Sequence, residues 1–258
     1  MLFHRIKHRA SFGVVGVIAL ALFGCGGGTS ISKPFGTNPN DINRERVFNA
    51  LVGSPSTAVD IAQRSLTLNP TPLAFGQSDN YARVSSGIAI DTNAFQSGTT
   101  TSVAPNSSVT MTRGFSYTEV VTGIYGTSGP TAPRLLQITD NFPNSVPASS
   151  VALRVVNLSP DSPPITLYNT TGTPPTAVAI TGLGNVAYGS VSNAGGSNYF
   201  VAAAGAYNLT VRDNAGNLLT SLGTITLPGG HSYSLFVYGL VTPASGQPGV
   251  RAVLLTDQ

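Results

Sequence analysis

One strand-length phrase occurs twice in this chain, as GFSYTEVVTG at 114–123 and as GHSYSLFVYG at 230–239. The echo extends well beyond it. Arg46-Val47-Phe48-Asn49 answers Arg154-Val155-Val156-Asn157, and Ser54-Pro55 answers Ser162-Pro163, both at an offset of 108. Phe75-Gly76 answers Tyr188-Gly189, Tyr81 answers Tyr199, and Ser86-Gly87 answers Ala204-Gly205. RLLQITD (134–140) answers RAVLLTD (251–257) at an offset of 117. An offset that drifts while the phrases persist is expected when strands are kept and loops change length. Units of about 100 residues are long enough to bury a core and fold alone, unlike solenoid repeats. The expected boundaries are 46–140 for the first unit, 141–150 for a linker and 151–258 for the second.

Each unit reads as β. Tyr207, Leu209 and Val211 alternate with Asn208, Thr210 and Arg212, the period of a half-buried strand. Asp213-Asn214-Ala215-Gly216-Asn217 is a turn, and Pro228-Gly229-Gly230 interrupts the strand that follows. Strands this short, with Gly, Pro and Asn between them and no helical periodicity after residue 25, predict two tandem immunoglobulin-like antiparallel β-sandwiches. Only 9% of residues are charged, which fits a surface built from Ser, Thr and Asn.

The N-terminus reads as a targeting segment. MLFHRIKHR carries Arg5, Lys7 and Arg9, and an apolar run over 11–24 follows. That run is shorter than the roughly 20 residues a membrane-spanning helix needs, and a basic stretch before a short apolar one is a secretory signal. Leu22-Phe23-Gly24-Cys25 resembles the lipobox of bacterial lipoproteins. The resemblance implies a signal peptide over 1–24, with Cys25, the only cysteine in the chain, acylated and anchored in a bilayer. Residues 25–45, rich in Gly, Asn, Ser and Pro, read as a flexible tether. Three of the 13 basic residues leave with the signal, so the mature chain balances its 10 acidic residues. The precursor's basic balance therefore gives no support for a nucleic-acid partner.

The second unit runs from Leu153-Arg154-Val155-Val156-Asn157-Leu158-Ser159-Pro160-Asp161 through Ala204-Gly205-Ala206-Tyr207 to Leu255-Thr256-Asp257. It resembles the bacterial domain of unknown function DUF 4397, found in secreted proteins and lipoproteins. The resemblance covers essentially all of residues 151–258, and the first unit is the more divergent match. It implies a β-sandwich outside the cytoplasm and brings no catalytic residue with it.

Chemistry-bearing clusters are sparse. After residue 25 the only histidine is His231. Its neighbour Ser232 would point to the opposite face of a strand, and the first unit has Phe115 at the histidine's place, so a ring packing at a strand's start is expected there. No Gly-x-Ser-x-Gly elbow is present. The acids are two glutamates, Glu45 and Glu119, and eight aspartates. With Glu45 read at the end of the tether and Asp91, Asp161 and Asp213 near turns, turn capping is the expected role, and a glycosidase pair among these acids is the alternative. One histidine and no free thiol leave nothing for a zinc site of the usual kinds. No catalytic, cofactor or metal residue is therefore expected.

The residues common to both units are expected to be structural. Arg46 and Arg154 open the units, and Asp140 and Asp257 close them; Arg154 is expected to approach Asp257. Asn49 and Asn157 are expected to bond local backbone where a strand gives way to a turn. Tyr117 and Tyr233 resemble the corner tyrosines of immunoglobulin-like sandwiches, whose hydroxyl bonds backbone. The function expected is that of a non-enzymatic, membrane-anchored surface lipoprotein with a structural, adhesive or binding role. Its partners would be the bilayer, through Cys25, and an envelope glycan or protein. The rival readings are a carbohydrate-active hydrolase and a small glycan-binding module.

Overall fold

The computed structural model describes residues 43–53, 58–63, 66–84, 89–171, 176–192 and 198–257, the side chains at 66, 89 and 109 excepted. The segments read as signal peptide and, as far as residue 42, as tether, with Cys25, Ser54-Pro55 and Ser86-Gly87, lie outside the described residues. Among the described residues the fold is all-β, with a single 3-10 turn at Gly129–Thr131.

The first half contributes β1 (Asn43–Val52), β2 (Ala58–Gln63), β3 (Leu66–Thr67), β4 (Leu73–Ala74), β5 (Ala82–Val84), β6 (Ala89–Gln96), β7 (Ser102–Thr110), β8 (Ser116–Ile124) and β9 (Arg134–Asp140). The second contributes β10 (Ser150–Asn157), β11 (Ile165–Thr171), β12 (Thr176–Ala179), β13 (Phe200–Ala203), β14 (Gly205–Asp213), β15 (Leu218–Leu227), β16 (His231–Tyr238) and β17 (Arg251–Thr256). Four sheets result. Order β5-β1-β8-β9 faces order β3-β2-β6-β7, with β4 on β2; order β13-β10-β16-β17 faces order β12-β11-β14-β15. The strand order β5-β1-β8-β9 is repeated, strand for strand, by β13-β10-β16-β17.

Two details depart from the sequence reading. The sheets are antiparallel except that β1 runs parallel to β8, and β10 to β16. In each half the first strand lies against the penultimate one, and the last strand pairs with that penultimate strand from the other side. Strand β1 also begins at Asn43, so Asn43, Arg44 and Glu45 belong to a sheet and not to the tether.

Alternation along β1 and β8 sends side chains to two different burials. Val47, Leu51 and Val121 enter the core of the first sandwich with Val59, Ile61 and Leu135. The core of the second holds Leu153, Val155, Leu167, Leu209, Leu235 and Val237. The opposite face of both sheets is buried as well. Phe48, Ala50, Val120 and Ile138 from the first half pack against Val156, Leu158, Phe236 and Tyr238 from the second. Sheet β5-β1-β8-β9 therefore lies back to back on sheet β13-β10-β16-β17, and strands such as β1, β8, β10 and β16 are buried on both faces. That explains why apolar residues follow one another in them, as in Val47-Phe48, Val120-Val121, Val155-Val156 and Leu235-Phe236-Val237. Phe48 and Phe236 stack at 4.8 Å between ring centroids.

The segment 141–150 is held between the halves. Phe142 lies edge-on to Tyr81 at 5.8 Å and against Tyr199 at 6.2 Å. Its far end is bonded down, with the Gly230 and Ser150 amides both donating to the Pro147 carbonyl.

The closing glycine of each phrase has a steric cause. Gly123 and Gly239 adopt φ of 106° and 90°, a region that favours glycine. A Cβ at either would run into the carbonyl of the returning loop, at Ala132 or at Gly249.

Candidate functional site

Arg46 and Arg154 leave β1 and β10 on the faces that the two sheets bury against each other. Both are enclosed, at 2% and 0% exposure. The guanidinium of Arg154 forms an ion pair with Asp140 of the other half. Reciprocally, Arg46 pairs with Asp257 at 2.7 Å. Within each half a hydroxyl joins the arginine to the local aspartate. Arg46 Nε–H donates to Thr118 Oγ1 at 3.0 Å, and Thr118 donates to Asp140 at 2.8 Å. Arg154 Nε–H donates to Ser234 Oγ at 2.5 Å, and Ser234 donates to Asp257 at 2.7 Å. The six residues close a ring that crosses the interface twice.

Tyrosines cap it. Tyr81 donates to Asp140 and Tyr199 to Asp257, each at 2.8 Å. The same rings lie over the guanidinium groups of Arg46 and Arg154, at 4.7 and 4.9 Å, a cation–π geometry. Burial alone would lower the basicity of Arg154. The Asp140 carboxylate against it more than reverses that, and its pKa stands above the ordinary arginine value. The network is thus built to hold charges, with each carboxylate receiving charge-assisted bonds that offset desolvation.

Four of the expected structural residues, Arg46, Arg154, Asp140 and Asp257, therefore come together. Arg154 and Asp257 are neighbours as expected, but they meet through Ser234; the direct ion pairs connect one half to the other.

The remaining four act locally. Asn49 Oδ1 accepts from the Leu51 amide at 3.0 Å and Nδ2 donates to Leu73 O at 2.8 Å. Asn157 Oδ1 accepts from the Ser159 amide at 3.1 Å and Nδ2 donates to Val186 O at 3.0 Å. Tyr117 accepts from the Thr112 amide at 2.8 Å, and Tyr233 donates to Pro228 O at 3.3 Å. Each tyrosine reaches backbone five residues upstream, the corner geometry anticipated from the phrase.

His231 and Ser232 part company. His231 is exposed at the start of β16 while Ser232 is fully buried. Phe115, at 42% exposure, is no core ring either. The expected ring packing reduces to His231 lying 6.2 Å from Tyr233. His231 opens β16 and Phe115 stands just before β8, both exposed at the edge of the core, so either ring is tolerated there.

A second polar constellation lies inside the first sandwich. Glu45, Glu119 and Gln137 occupy adjacent strands on the inner face of their sheet, Glu119 directly opposite Gln137. From the facing sheet come Gln63 and Thr92, themselves paired in register. Gln63 donates to Glu45 at 2.8 Å. Glu45 and Glu119 are only 2% and 0% exposed. Burial first, then the charge of Glu119, raises Glu45 well above the carboxylate range. Burial raises Glu119 to about 8, with Gln137 opposing and Asp140 adding to the rise.

Sequence reasoning did not assemble this layer, because its members stand at 45, 63, 92, 119 and 137 with no motif among them. One signal was available. In the repeated strands the second half has Leu153, Leu235 and Leu254 where the first has Glu45, Glu119 and Gln137.

Fold and ring together define the class: a duplicated all-β sandwich protein whose halves are joined face to face through polar residues that both halves share. Residues 46–168 match the model of a family described as Domain of unknown function (DUF4397). The match takes in the first sandwich from Arg46 onward and ends at Tyr168 in β11. It falls on the half expected to be the more divergent and does not extend over residues 169–258. No curated protein matches the chain.

Proposed function

We propose that this chain is a non-enzymatic lipoprotein of the bacterial cell envelope, held to the membrane by acylated Cys25, whose two sandwiches form one rigid structural or binding body. The observation that carries this reading is the use of the shared residues. Arg46, Arg154, Asp140, Asp257, Thr118, Ser234, Tyr81 and Tyr199 are engaged with one another between the halves. What duplication preserved is thus the means of holding one half to the other. The chain's paired glutamates, the best material for hydrolysis, are shut inside a sandwich at 2% and 0% exposure, where a glycosidic bond has no route to them. An aspartate at the far end supports a fixed loop instead: Asp161 accepts from the Val241 and Thr242 amides at 2.8 and 2.9 Å.

The test has two arms. Replacing Cys25 by serine should abolish incorporation of a fatty-acid probe and release the protein from membranes; retained label and anchoring would overturn the lipoprotein reading. The purified full chain should then be screened against envelope glycans for both retention and turnover. Retention or inertness fits the proposal. Turnover that is lost on substituting Glu119 would establish a hydrolase.

A further inference from the structure

The inner layer of the first sandwich has chemistry that the proposed role does not use. Glu45, Glu119, Gln137, Gln63 and Thr92 lie between two apolar groups, one around Val47, Ile61 and Val121 and the other of Val84, Ile90, Met111 and Tyr117. In the second sandwich the three equivalent positions from this sheet are filled by leucines of the core and its margin, Leu153, Leu235 and Leu254.

Bonding within the layer is incomplete. Both carboxyl oxygens of Glu119, one of Glu45, the Thr92 hydroxyl and the Gln137 amide nitrogen are buried without a hydrogen-bond partner. Two ionised carboxylates here would lack counter-charge. Arg46, next to Glu45 in sequence, turns to the other face of β1 and pairs with Asp257. Desolvating a carboxylate costs several kcal/mol, and a like charge nearby adds to that. Protons remove both penalties and turn acceptors into donors.

We propose that the Glu45–Glu119 layer is a proton-binding site that couples the cohesion of the first sandwich to pH. With its carboxyls protonated the two sheets close over a neutral layer. When the protons leave, the buried charge draws water between the sheets and the sandwich loosens.

The groups around the layer agree with this. On the same side, Asp79 raises Glu45 further and is itself raised to about 6 by burial, against the bonds it accepts. Asp140 on β9 raises Glu119 but is tied to Arg154. The facing sheet offers only neutral Gln63 and Thr92, because Asp60 bonds to Asn69 and Gly98 and Asp91 is exposed. The sign follows from linkage. A carboxyl raised from 4.5 to about 8 binds its proton more tightly when folded. Its stabilisation is complete below the unfolded pKa and is lost as pH rises through the folded one. This inference stands apart from the proposed envelope role and survives its failure.

The chain has only two glutamates, so labelling with glutamate carrying carbon-13 at Cδ gives two carboxyl resonances in the full chain. The expected result is that Glu119 titrates near pH 8, and that Glu119→Gln returns Glu45 toward its ordinary range. Amide exchange corrected for intrinsic rate should also accelerate with alkaline pH in β1 and β8 but not in β10 and β16. Two resonances titrating near 4.5 in the folded chain would overturn the proposal, as would acceleration equal in both sandwiches. If Glu119→Gln fails to fold, the titration of the unaltered chain decides alone.

Discussion

Replacing Arg154 by methionine tests which halves the charges join. The guanidinium is fully enclosed and holds Asp140 of the other sandwich, Ser234 Oγ at 2.5 Å and the face of Tyr199 at 4.9 Å. Methionine fills much of the same space without charge. The loss therefore lies mainly in the stranded Asp140, and breaking one side of a buried pair costs about 3–5 kcal/mol. Asp140 keeps the donors Thr118 and Tyr81, which places the expected loss at the lower end, about 3 kcal/mol. Equilibrium urea unfolding of the full chain followed by circular dichroism measures it. Asp140→Asn on the same background removes the stranded charge, so the two changes should couple by about 2 kcal/mol or more. Asp257→Asn reaches Arg154 only indirectly, through Ser234 and Tyr199, and its coupling should be the smaller of the two, about 1 kcal/mol or less. A larger coupling with Asp257 than with Asp140 would refute the crossed arrangement.

Four further outcomes are expected. Stability should fall as pH rises from 4.5 to about 8, by about 1.4 kcal/mol per pH unit for each glutamate that titrates there, and replacing Glu45, Glu119 and Gln137 together by leucine should flatten that slope in pH-dependent thermal melts. Tyr117→Phe should destabilise by about 1 kcal/mol or more because it strands the Thr112 amide, and Tyr233→Phe, whose bond is longer at 3.3 Å, by less; denaturant midpoints at constant slope report the difference. Gly239→Ala should cost at least about 1–3 kcal/mol from the backbone strain at φ 90°, seen as a lowered melting temperature. Phe236→Ala should cost about 3–5 kcal/mol by emptying the stack on Phe48, with amide protection lost first at the interface strands.

The strands and the duplication were legible because both rest on local pattern: period-two alternation, turn residues and phrases that recur. The corner tyrosines and the strand-end asparagines were legible for the same reason, since each bonds backbone a few residues away. The partner of Arg154 was not. Each half carries one arginine and one aspartate at matching places, so the sequence offers within-half and between-half pairing equally, and only the back-to-back contact of the sheets decides. Glu45 was read as tether because Asn43-Arg44-Glu45 continues a polar stretch; it joins a strand because β5 and β8, neighbours that no sequence window contains, pair with it on either side. The acidic layer stayed hidden because its residues sit on five strands.

The crossed ion pairs have a consequence for assembly. Arg46 holds Asp257 while Arg154 holds Asp140, and Phe142 lies between Tyr81 and Tyr199 where the two relations meet. This is the pattern of an isologous homodimer whose subunits have been joined in one chain. A two-fold contact closes on itself, whereas a head-to-tail contact can propagate into a filament. Among the described residues, the face that each sandwich offers for this contact is already taken by the other. Joining the copies also converts an association governed by protein concentration into an intramolecular one, so the paired form persists however dilute the protein is.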